Sequence, residues 1–106
     1  MALEPKIGGL LGFAAKSGRL LLGSSAVENG IKIKKAKLVI AAVDINPKKQ
    51  EILSYWCKDL DILFLCLGTK EEYGRLLRKK PIGLLAVTEE KMAAGIWQAA
   101  ATNGGD

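Results

Sequence analysis

The stretch GSSAVENGIKIKKAKLVIAAVDINP, residues 23–47, decides how the rest of the chain is read. A glycine and two serines open a short segment that places Ala26, Val27, Gly30 and Ile31 on one helical face. Ser25 with Glu28 three residues later fits a capping box. Four lysines, Lys32, Lys34, Lys35 and Lys37, crowd the end of that helix. The run LVIAAV then carries no polar group, as in a strand covered on both faces. Asn46 and Pro47 read as the N-cap and first residue of a further helix.

The same alternation extends outward. Ile7, Leu10, Leu11, Ala14 and Ala15 form a helical stripe that Pro5 can start and Gly18 can end, with Gly8 and Gly9 pointing to close packing or a loose first turn. Residues 19–22 read as a brief strand. Beyond Pro47, Ile52, Leu53, Trp56 and Leu60 supply the next stripe, with core positions expected for Trp56. DILFLCLG reads as another doubly buried strand. Thr69 and Glu72 form a second capping box, with Tyr73, Leu76 and Leu77 facing inward and Pro81 stopping the helix. IGLLAV is the last strand, and Thr88 caps a final helix carrying Met92, Ile96, Ala99 and Ala100. Helices alternating with buried strands predict an α/β fold, a three-layer α/β/α sandwich with a four-stranded mixed sheet. One domain is expected over residues 1–101, with residues 102–106 as a flexible tail.

Composition narrows the chemistry. Sixteen basic and eleven acidic residues give a net charge of +5, which accommodates an anionic partner without requiring one. Histidine is absent, removing the commonest general base and metal ligand. Cys57 and Cys66 are too few and too far apart for a zinc site or redox pair, and their apolar neighbours predict buried, reduced thiols. The chain lacks both the Gly-x-Gly-x-x-Gly fingerprint and a P-loop. Asp44 stands at the end of a buried strand, where open α/β sheets bind ligands, but the predicted order puts Asp59 and Asp61 at the opposite edge. No carboxylate pair forms, and Asp44 alone reads first as a turn or capping residue. No apolar run is long enough to span a membrane, and MALEPKIGG lacks the pattern of a signal peptide, so a cytosolic protein is expected.

Anion binding has better candidates. A helix start exposes unpaired N–H groups and a positive dipole end, and Gly23 lets another backbone approach the helix opening at Ser24 and Ser25. Lys16 and Arg19 are near in sequence. The second candidate is RLLRKKPIGLLAV, in which Arg75, Arg78, Lys79 and Lys80 precede a tip of Pro81, Ile82 and Gly83. A basic approach followed by an apolar wedge suits an unstacked nucleotide, while the plainer alternative sends Ile82 into the core.

The stretch at residues 23–47, with LGTKEEYGRLL and IGLLAV, resembles the ribosomal protein L-seven-A-e / L-thirty-e family, small α/β/α sandwich proteins of which many bind kink-turn RNA. IGGLLGFAAKSGRLLLG looks like its bacterial ribosomal-protein-like branch, and the resemblance spans about residues 5–88. In RNA-binding members the glycine before the second helix is followed by Asn, Glu or Gln, and Lys that read tandem G·A pairs and phosphates. The matching positions here are Ser25, Ala26 and Asn29, a departure from that pattern. Val43 stands where the family has an acid, whereas Gly23, Asp44, Pro47 and the apolar loop of Pro81, Ile82, Gly83 and Leu84 match. Each lost bidentate base contact removes about 1–3 kcal/mol of discrimination.

The resemblance implies a non-catalytic RNA-binding protein whose partner is a ribosomal or other structured RNA, with ribosome association, weakened or altered specificity, and no cofactor or metal. In the expected arrangement, the amides of residues 23–26 face RNA, Lys16, Arg19 and Lys37 add attraction, and Pro81, Ile82 and Leu84 press on an unstacked nucleotide. The rival is a protein-interaction or oligomerisation module, which an exposed patch joining Trp97 and Tyr55 would favour. A small-molecule site at Asp44 is a third alternative.

Overall fold

The computed structural model describes residues 3–104, with only the backbone described for residues 102–104. Five helices and four strands alternate: α1 (Pro5–Lys16), β1 (Leu20–Leu22), α2 (Ser24–Lys32), β2 (Leu38–Ala41), α3 (Pro47–Asp59), β3 (Leu63–Cys66), α4 (Lys70–Leu77), β4 (Leu84–Val87) and α5 (Glu90–Gly104). The strands lie in the order β1-β4-β2-β3. β4 is antiparallel to both neighbours and β2 is parallel to β3, which makes the sheet mixed. Three strands therefore run the same way, and β4 runs against them.

The apolar stripes sort the helices into two layers. Ile7 and Leu11 of α1, Tyr73 of α4 and Ile96 of α5 cover one face of the sheet through Leu38, Ile40, Leu85 and Val87. Val27 and Ile31 of α2 and Leu53 and Cys57 of α3 cover the other through Val39, Ala41, Leu84 and Ala86. Every residue of β2 and β4 is buried, as an uninterrupted apolar run requires. β3 departs from the double burial expected of it. It is an edge strand, half-buried along its length, and its last residue, Cys66, is exposed, while Cys57 is buried as expected.

The helix ends follow local chemistry. Asn46 caps α3, accepting from the Lys48 N–H at 2.8 Å ahead of Pro47. Thr69 and Glu72 form a reciprocal capping box on α4. Glu89, rather than Thr88, accepts the first amides of α5, those of Lys91 and Met92. The Ser25–Glu28 box does not form. Gly23, at φ 91°, is itself the N-cap of α2, so Ser25 lies inside the first turn, past the capping position. At the C-terminal ends, α1 to α4 each close with a paired 6→1 and 5→2 turn around a left-handed residue: Gly18, Lys34, Asp61 and Arg78.

Two further expectations change. Leu53 and Cys57 of α3, with Leu60 at its C-cap, carry the inward face, which turns Ile52 and Trp56 outward. α5 runs on to Gly104 through alanines favourable to helix, so residues 102–104 continue it where a tail was expected. Residues 105 and 106 lie outside the described residues.

Candidate nucleic-acid interface

The strand directions gather the candidate loops at one edge of the sheet. The Gly23 N–H donates to the Leu84 carbonyl at 2.9 Å, and the Ala42 N–H donates to the Gly83 carbonyl at 2.9 Å. The Val43 N–H donates to Gly68 and the Ile82 N–H to Lys70. The start of α2, the β2–α3 loop, the start of α4 and the α4–β4 loop thus form one continuous surface. Gly83 makes its tightest junction possible: a Cβ there would fall 2.5 Å from Ile45 Cγ2.

On this surface, directly after the outer strand β1, α2 begins without a side-chain cap. Its first intrahelical bond runs from the Val27 N–H to the Gly23 carbonyl, so the N–H groups of Ser24, Ser25 and Ala26 precede the ladder. Ser24, Ser25 and Asn29 are exposed and Ala26 is half-buried. The cation at this position comes from α3 and lies outside the expected set. Lys49 Nζ lies 3.0 Å from Ser24 Oγ and 3.0 Å from a Glu28 carboxylate oxygen. A lysine two residues inside the helix after Pro47 gave the only signal of this, and its 25-residue separation from Ser24 hid the contact.

Other candidates land elsewhere. Lys16 closes α1, while the Arg19 carbonyl accepts from Thr88 and the Lys37 N–H donates to Val87. All three therefore sit at the opposite edge of the sheet and do not join Gly23. Asp44 lies on the candidate edge, with Oδ1 accepting the Lys70 N–H at 3.0 Å, the capping role that was its plainer reading. Gln50 Nε2 braces the same loop by donating to the Ala42 and Val43 carbonyls. The apolar fingertip is not formed as expected. Pro81 is exposed, but Ile82 is 9 % exposed in the core and Leu84 is buried beneath α2 and α3, because the loop is drawn down by the Ile82–Lys70 bond. Trp97 and Tyr55 stand on opposite helical layers, so no patch joins them. Among the described residues no group of acids and thiols could hold a metal, and no helix is long and apolar enough to cross a membrane.

An α/β/α sandwich with helix starts and loops massed on one edge defines the class: a small scaffold presenting main-chain donors. A family model described as "Ribosomal protein L7Ae/L30e/S12e/Gadd45 family" matches residues 6–95, and the chain belongs to that family. Among solved structures, it is similar to a protein with unknown function from Bacillus halodurans, at 24 % identity and TM-score 0.85, over 90 % of this chain and 96 % of that one. It is also similar to the Giardia lamblia 15.5kD RNA binding protein, at 18 % identity and TM-score 0.76, over 95 % of this chain and 90 % of that one. A comparison with curated proteins gave no significant match. Family membership supports an RNA-binding role.

Proposed function

We propose that this protein is a non-catalytic binder of structured RNA, with the α2 edge of the sheet as its contact surface and with kink-turn selectivity reduced. The observation that carries this reading is the open start of α2, where three amides without a side-chain cap lie beside the Lys49 ammonium. Amide donors read a phosphate or the acceptor edge of a base without any side chain, and the dipole end favours negative charge. Lys49 supplies from α3 a cation that Asn29, at the family's lysine position, does not carry. Ser25 offers a single hydroxyl and Ala26 no polar group, so two-pronged base reading is lost and selectivity falls with it.

Titration against a kink-turn RNA and an unkinked duplex of equal length, at two salt concentrations, tests this. A modest preference for the kinked RNA, steeper in salt than in sequence, is expected. Absence of binding to both would refute the reading.

A further inference from the structure

A groove between α2 and α3 starts at the proposed RNA surface and leads away from it. Lys49 belongs to both: its ammonium touches Ser24, and the residue lines the groove with Lys48, Ile52 and Trp56. The groove measures about 410 Å³. On the other side of Trp56 a second hollow is lined by Ile31, Lys32 and Asp59. Trp56 is 36 % exposed and its neighbour Ile52 46 %. Seven residues, about 10 Å or two helical turns, separate Lys49 from Trp56, so both lie on one face of α3. The indole thus has Lys48 and Lys49 at its near end and Lys32 with Asp59 at its far end, and three lysines against Glu28 and Asp59 leave the lining net positive. Glu28 pairs with Lys49, so the near end owes its net charge to Lys48.

Cations spaced around an aromatic face match a single-stranded nucleic acid, whose bases stack while its phosphates seek positive charge. An apolar protein segment would have no use for the lysines. We propose that Trp56 is the stacking platform of a second RNA subsite, which takes a short unpaired stretch leaving the structured RNA held at α2. This rests on the RNA-binding reading above.

The test compares a blunt kink-turn RNA with the same RNA carrying an oligouridine extension at either end, by fluorescence anisotropy. One of the extensions should tighten binding about tenfold, the gain of one well-stacked base. Trp56→Ala should lose that gain and keep the affinity for the blunt RNA, while Trp56→Phe keeps most of both. Lys32→Glu, at an exposed position outside the core, should also reduce the gain, and it serves as the decisive variant if thermal melting shows Trp56→Ala to be unfolded. No gain from either extension, or a gain that survives both Trp56→Ala and Lys32→Glu, would overturn the proposal and leave the groove to a protein segment. If the intact chain fails to bind even the blunt RNA, the RNA-binding reading itself falls and takes this subsite with it.

Discussion

Replacing Lys49 by Gln should weaken RNA binding more than replacing Lys16 and Arg19 together. Lys49 lies at the open end of α2, 3.0 Å from Ser24 Oγ. A phosphate held there meets its charge at contact distance, where a unit pair is worth about 1 kcal/mol in bulk water, and because Glu28 shares the ammonium the loss should be at most about fivefold in affinity. Arg19 is separated from Gly23 by β1, four residue steps at ~3.3 Å, or ~13 Å. Across that span the same pair is worth ~0.3 kcal/mol before screening, and the ~8 Å Debye length at physiological salt cuts it to about 0.1 kcal/mol. The Lys16→Gln/Arg19→Gln double variant should therefore change affinity by less than about twofold. Lys49→Gln should also lower the slope of log affinity against log salt by about one. Anisotropy titrations over a salt series read both quantities. The folded state should tolerate the change, because the Lys49–Glu28 pair is partly solvated and such pairs contribute at most about 1 kcal/mol. Equal or larger losses in the Lys16/Arg19 variant would place the RNA at the other edge and refute the assignment.

Three further outcomes test the scaffold. Lys34 takes a left-handed conformation (φ 59°) that costs a non-glycine residue about 1–2 kcal/mol; Lys34→Gly should raise stability by about 0.5–1 kcal/mol after the entropy of glycine, seen as a higher urea midpoint. A Cβ on Gly74 would lie 2.8 Å from the Lys80 carbonyl oxygen and 2.9 Å from that of Lys79; Gly74→Ala should cost about 1–3 kcal/mol by thermal melting and weaken RNA binding by displacing the loop that leads to Gly83. Hydrogen bonds from the Leu3 and Thr69 N–H groups hold the Glu72 carboxyl below the usual carboxylate range. Its contribution is therefore full above the ordinary carboxyl value and is lost as pH falls through the lower, folded value; Glu72→Gln should flatten the acid limb of stability against pH.

The layers of this fold were legible because burial writes itself into local pattern. LVIAAV and IGLLAV carry no polar group and form the two central strands, and Thr69–Glu72 and Asn46–Pro47 mark helix starts at the positions observed. DILFLCLG has the same apolar look yet forms an edge strand, because position in the sheet depends on pairing that no single segment encodes. The same limit governs the candidate site. Gly23 and Gly83 are legible as loop residues, but their meeting depends on strand direction, as does the exile of Arg19 and Lys37 to the far edge. Ile82 shows the ambiguity of an apolar loop residue, whose side chain is drawn inward by one backbone bond to Lys70. Lys49 was hidden because its partners lie on a different helix.

The sheet order also fixes an electrical polarity that no side chain needs to supply. α2 and α3 both begin at the same pole under uncharged caps, Gly23 and Asn46, and each helix contributes about half a positive charge there. At the start of α4 the carboxylates of Asp44 and Glu72 more than offset the corresponding charge. The partial positive charge at the starts of α2 and α3 is set by chain direction alone. The side chains at positions 25, 26 and 29 can therefore differ widely without removing the positive helix starts of the proposed RNA surface.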